Sequence, residues 1–206
     1  MDRETLMAMS GWRDAWRRFS GRGTCPYEFS FTLLFPLRSL ILSPRQLVSR
    51  LHLTEASHVL ELGPGPGFFS IRVARSIPRG HLYLVDLQRE MLNKARSRIR
   101  RASLENAIFT QANATALPFA LGAFDVAFLV AVLGEVPDPG ACLESLYRSL
   151  RPQGILSVTE LPGDPDAIAE PDVLAMVSAK GFEHFETFPV RGRGFTANFR
   201  KPAGRA

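Results

Sequence analysis

Cysteine is scarce: Cys25 and Cys142 are the only two in 206 residues. They stand in no metal-ligand spacing, which argues against a disulfide framework or a zinc site and fits a reducing cytoplasm. The amino terminus, MDRETLMAMSGWRDAWRR, has no apolar core of the kind a signal peptide needs. Long hydrophobic runs are missing too. The most apolar stretch, residues 29–44, is broken by Pro36 and Arg38, and it falls short of the roughly 20 residues that span a bilayer. It is expected to be buried or interfacial rather than transmembrane. Internal repeats and low-complexity linkers are also absent.

What is present reads as one domain. A content of 46% hydrophobic and 22% charged residues supplies a single core. The formal charge of +5 is clustered in residues 12–22, in residues 94–102 and in the C-terminal RGRGFTANFRKPAGR. These runs are either solvated faces or a meeting place for an anionic surface such as lipid headgroups; nucleic acid is not the expected partner.

Short β-rich runs alternate with helical patterns along the chain. HVLEL and HLYLVDL are followed by helices expected over residues 69–77 and 89–101. AIFTQA, FDVAFLVA, a helix through ACLESLYRSL and a strand in GILSVTEL continue the rhythm. Such alternation predicts an α/β fold with a mostly parallel sheet covered on both faces, and the continuous apolarity of FDVAFLVA suits a central strand. After a helix stopped by Gly181, FEHFETFPV and GFTANFRK are joined by RGRG. A loop that short makes them antiparallel. Residues 1–44 lie outside the alternation and form an expected N-terminal segment, with residues 45–206 as the domain.

In open parallel sheets the ligand crevice lies beyond the carboxyl ends of the strands. VLELGPGPGFFS places Gly63, Gly65 and Gly67 there, removing side chains where a ligand would approach. A dinucleotide fingerprint needs a third glycine at position 68, which is Phe68. Glu61, just ahead of the loop, would oppose a pyrophosphate but suits a ligand carrying an ammonium group. Asp86 ends the second strand about twenty residues on, where a carboxylate can take both hydroxyls of a ribose. Asn113 and Ala114, at the end of the third strand, offer a donor, an acceptor and a small neighbour to an adenine edge; Asn113 alone would serve equally as a turn residue.

Five motifs in order, VLELGPGPGFFS, LYLVDLQREML, QANATALPFALGAFDVAFLVAVLGEVPDP, LYRSLRPQGILSVTE and KGFEHFETF, resemble the class I S-adenosylmethionine-dependent methyltransferases of the UbiE-like, type 11 kind. The resemblance covers residues 43–202. It implies a Rossmann-like, doubly wound sheet of seven strands in the order 3-2-1-4-5-7-6, the seventh antiparallel. It implies S-adenosylmethionine as cofactor, with Glu61, Gly63, Pro64, Gly65 and Gly67 around the methionine part. Asp86 would hold the ribose, Leu87 and Met91 would flank the adenine, and Asn113 and Ala114 would meet its edge. Val130 to Leu133 would line the pocket near the sulfonium. The chain departs from the family at Asn113, often Asp; at Gln153 in PQG, often PGG; and at Gly134 and Glu135, where many members carry histidines.

Methyl transfer from a sulfonium needs orientation and exclusion of water more than a strong catalytic acid. Where the acceptor must lose a proton, the strand-end carboxylates are Glu135 and Glu160. Glu135 is the candidate, against the alternative that it charges the start of the following helix. His184 reads as a strand-face residue. The sequence lacks the NPPY motif of nucleic-acid base methyltransferases and the cysteine set of arsenite methyltransferases, which leaves a small organic acceptor. The Phe- and Leu-rich residues 25–44 either cover the active site, favouring an apolar or lipid-like acceptor, or pack on the sheet. Two other readings stand behind the enzyme: a methyltransferase-like module that binds cofactor without catalysis and acts through partners, and a nicotinamide-dependent oxidoreductase.

Overall fold

Every strand expected from the apolar runs forms, and the helices between them cover both faces of one sheet. The computed structural model describes residues 41–203. Helix α1 (Pro44–Arg50) precedes β1 (His58–Leu62), α2 (Ser70–Ser76), β2 (His81–Asp86), α3 (Arg89–Arg101) and β3 (Ala107–Gln111). Then come β4 (Phe124–Val130), α4 (Pro139–Ser149), β5 (Leu150–Glu160), α5 (Glu170–Ser178), β6 (Glu183–Val190) and β7 (Gly194–Arg200). The seven strands lie in the order β3-β2-β1-β4-β5-β7-β6. Strands β1 to β5 pair in parallel, while β7 runs antiparallel to both β5 and β6.

The sheet divides the interior into two apolar layers. On one side Leu47 of α1, Val73 of α2, and Leu92 and Ile99 of α3 pack on Val59, Leu82, Val126 and Phe128. On the other, Leu143 and Leu146 of α4 and Val173 and Val177 of α5 pack on Leu60, Ala127, Leu129 and Val158. Strand β4 feeds both layers with alternate residues, which is why its sequence is apolar throughout. Leu42 is buried against the first layer, beside α1. Residues 1–40, Cys25 and the first basic run included, lie outside the described residues.

Two local features differ from the sequence reading. The third strand ends at Gln111, so Asn113 stands in the turn beyond it. After β4 the chain makes a short 3₁₀ turn, Leu133–Glu135, and α4 begins only at Pro139. Pro137 and Pro139 explain the break, because the residue before a proline avoids the helical region; Val136 is extended. Asp138 caps α4, its Oδ1 accepting from the Ala141 amide at 2.9 Å, a contact that stabilises a helix by about 1 kcal/mol. Glu135 therefore does not charge the start of that helix.

Candidate active site

The chain turns back at β1: it leaves toward β2 and β3, then returns to place β4 on the other side. Their diverging connections leave a crevice at the carboxyl ends of the strands. A cavity of about 420 Å³ occupies it. Glu61, Gly63, Pro64, Gly65, Asp86, Leu87, Met91, Asn113, Ala114, Val130 and Glu135 all line this cavity. Gly67 and Leu133 do not.

The glycine loop is held by its own backbone. The Gly63 amide donates to Val85 O at 2.8 Å, and the Gly67 amide to Pro64 O at 2.9 Å. Gly63 has φ +64, and a Cβ there would lie 2.5 Å from Cγ2 of Val132. Only a residue without Cβ lets the loop pass so close to the β4 connection. Gly67 has another duty. Its φ is +79 and an added Cβ would meet Ala95 of α3 at 3.1 Å, so it admits the helix rather than a ligand. Leu133 is fully buried in the opposite core layer, where it anchors the turn that carries Glu135.

Two carboxylates face each other across the loop. Glu61 is 3% exposed, and its Oε2 has no hydrogen-bond partner within the structure. Burial pushes its pKa up to about 8; the nearby Ser70 hydroxyl works against the shift and Asp86 adds to it. Asp86 Oδ1 accepts from the Gln88 amide at 2.9 Å. Burial raises Asp86 as well, countered by backbone N–H groups of Gln88, Gly65 and Leu87. Opposite them, Asn113 accepts from the Thr115 amide and hydroxyl, each at 3.0 Å. Its oxygen closes a turn, so the amide nitrogen is what it can offer a base edge.

The far end of the cavity is built by connections that sequence reasoning underused. Ala131 starts the turn after β4 at φ +56, its amide donating to Thr159 O at 2.8 Å. Val132, Val136 and Pro137 continue that wall, and Leu161, Pro162, Asp164 and Asp166 enter from the connection after β5. The signal for the latter was available: every connection that follows a parallel strand emerges on the same side of the sheet. Glu160 is 3% exposed and does not line the cavity. Burial, then Asp164 and Glu135, push it up to about 8, against the Ile168 backbone. Of the two strand-end acids, Glu135 is the one that reaches the cavity.

Elsewhere the expectations meet plain structural roles. His184 lies on the exposed strand β6, its Nε2 2.8 Å from the Thr187 hydroxyl and its ring against Phe199. Phe68, where a dinucleotide loop needs glycine, stands edge-on to Phe69 at 4.8 Å. Among the described residues no group of three or more His, Cys, Asp or Glu is placed to hold a metal ion, and no helix is long and apolar enough to cross a membrane.

Comparison with known proteins gives the same direction. Residues 53–184 match the family described as methyltransferase domain. The Vibrio vulnificus (strain YJ016) ubiquinone/menaquinone biosynthesis C-methyltransferase UbiE is 36% identical over 104 residues, covering 50% of this chain and 40% of the relative. An arsenite methyltransferase from Halobacterium salinarum is 30% identical over 150 residues, 64% of this chain and 38% of the relative. The alignments thus span about 40% of the length of these curated relatives. The crystal structure of a SAM-dependent methyltransferase from Aquifex aeolicus superposes with a TM-score of 0.80 at 21% identity, over 85% of this chain and 98% of that one.

Proposed function

Because the chain belongs to the methyltransferase-domain family, and within it to the class I S-adenosylmethionine-dependent enzymes, we propose that it methylates a small organic acceptor with an apolar body. The cofactor of this class is S-adenosylmethionine. The observation that carries the reading is Glu61: a buried carboxyl oxygen without a partner faces the cavity beside a glycine loop. An orphaned acceptor there is offset by a cationic ligand group, and the amino-acid ammonium of the cofactor is one.

In this assignment Gly63, Pro64 and Gly65 leave room for the methionine chain, and Asp86 accepts from the ribose hydroxyls. Leu87 and Met91 flank the adenine, with Asn113 and Ala114 at its edge and Val130 toward the sulfur. Gly67 and Leu133 act from behind, as packing. The cofactor supplies a methyl carbon already activated by its sulfonium. The protein's part is to orient the acceptor and keep water away, which Ala131, Val132, Val136 and Leu161 do with apolar surface. Where the acceptor atom carries a proton, Glu135 would be the group placed to take it as the methyl group is transferred.

The same walls support an organic acceptor over arsenite. Soft metalloids are taken by accessible thiolates, whereas among the described residues the one cysteine, Cys142, is fully buried with its thiol pushed up to about 12.

Titration calorimetry with S-adenosylmethionine tests the site. Replacing Asp86 by alanine removes charge-assisted hydrogen bonds of about 1.5–3 kcal/mol each, so affinity drops by about ten-fold or more while the melting midpoint holds. Unchanged affinity in Asp86→Ala would refute the ribose assignment.

A further inference from the structure

The overall charge of +5 hides a strong segregation between the two helical layers. Residues 44–57, 63–80 and 87–106, which build α1, α2, α3 and their connections, hold eleven Lys and Arg against three Asp and Glu. Residues 131–149 and 161–182, on the opposite face, hold two Lys and Arg against seven acids. Three carboxylates cannot neutralise eleven cations, and one of the three, Glu55, is already paired with Arg79. Cations in the last turn of a helix are explained by its dipole; Arg72 and Arg96 are not in last turns.

A second cavity, of about 550 Å³, opens on this layer between the C-terminal half of α3 and the edge strand β3. Arg96 and Arg100, one helical turn apart, stand on its wall with Ser103 and one carboxylate, Glu105, while Ile99, Leu104, Ala107 and Phe109 add apolar surface. The Arg96 guanidinium lies over the Phe109 ring at 4.9 Å. Close by, Arg98 is held below its ordinary pKa, by burial first and then by Arg101, a like-charge crowding that an anion would relieve.

We propose that the α1–α2–α3 layer seats the protein on an anionic lipid surface, the α3–β3 groove receiving a phosphate headgroup between Arg96 and Arg100. Charge complementarity argues for the anion, and the apolar lining argues for an amphiphile. A single-stranded nucleic acid would want aromatic rings open for stacking. On this layer the well-exposed large apolar side chain is the aliphatic Leu87, at 56%, and Phe109 is already covered by Arg96. Leu87 also lines the central cavity directly ahead of α3, so seating this layer brings the cavity rim beside the lipid.

The test is co-sedimentation of the full chain with phosphatidylcholine vesicles, with and without phosphatidylglycerol. Binding is expected only to the anionic vesicles and is expected to fall as ionic strength rises. At roughly five-fold per basic side chain removed, Arg96→Gln with Arg100→Gln lowers the partition constant about 30-fold. Arg72→Gln with Arg75→Gln, exposed on α2, lowers it in the same direction without touching the groove. Arg148→Gln with Lys180→Gln on the opposite layer leaves it unchanged. Thermal melts of each variant separate lost binding from lost folding, and none of these readings depends on methyl transfer. Equal binding to neutral vesicles, wild-type partition in both pairs of layer variants, or salt-sensitive binding to DNA without binding to vesicles would each overturn the proposal.

Discussion

On the proposed assignment, Glu61 couples cofactor binding to a proton. With its pKa pushed up to about 8 by burial, the carboxyl is mostly protonated at neutral pH, and an arriving ammonium group favours the ionised form. Calorimetry at pH ~7 in buffers of different ionisation enthalpy is expected to show a proton released on binding S-adenosylmethionine. Glu61→Gln should abolish that buffer dependence and weaken binding. The same shift, shared by Glu160, acts on stability. Between the ordinary carboxyl range and about 8 the folded state holds more protons than the unfolded one, so stability falls as pH rises through that window. Thermal melts across it should show a shallower decline for Glu160→Gln. Another residue-scale cost sits at Gln153, which takes φ +65 while its amide donates to Lys201 O at 2.9 Å. Glycine keeps that bond without the left-handed penalty, so Gln153→Gly is expected to raise unfolding free energy by about 0.5–1 kcal/mol in a denaturant titration. The PQG departure from the family was visible in the sequence; the backbone shows what it costs. Gly63, Gly65 and Gly67 were equally visible, but a glycine that yields space to a ligand has the same letter as one that yields it to a helix. Only the packed neighbours, Ala95 at Gly67 and Val132 at Gly63, show what each of these two makes room for.

Among the elements, strands and helices were legible because alternation and apolar runs are local signals, and β4 is the clearest case. The pieces that shape the acceptor end were less so. The Leu133–Glu135 turn and the connection after β5 have no periodicity, and their contact is made across distant parts of the chain. Gly134 joins them: a Cβ there would lie 1.7 Å from the Asp166 carbonyl oxygen. Gly134→Ala must push the two apart, at an expected cost of about 1–3 kcal/mol in chemical denaturation. Because Glu135 is carried on that turn, the same variant should lower turnover more than it weakens cofactor affinity. The alternative that Glu135 charges the start of α4 fails for a definable reason. Two acids precede α4, Glu135 and Asp138, and the choice between them is made by Pro137 and Pro139, which keep the backbone extended until the second acid.

For the whole molecule, a mostly parallel sheet was legible from the alternation of strands and helices, whereas the order β3-β2-β1-β4-β5-β7-β6 came from the resemblance to the family. The charge segregation was hidden because basic runs in a sequence carry no direction until helices assign them to one face. Cys142 gives a probe of the cooperative unit: it is fully buried on α4 with its thiol pushed up to about 12. In a Cys25→Ser chain, labelling by a thiol reagent is expected to follow global unfolding, and denaturant dependence of the labelling rate measures it. The placement of β7 between β5 and β6 also matters while the protein is being made. Strand β6 leaves the ribosome before the strand that will join it to the sheet, at about 5–20 residues per second. Until β7 follows, β5 is an open edge whose segment Ile155–Val158 is apolar but for one serine. A nascent chain halted before Gly194 holds that edge bare, and bare apolar edges recruit other strands. Pausing in this short interval is therefore expected to favour aggregation over closure of the sheet.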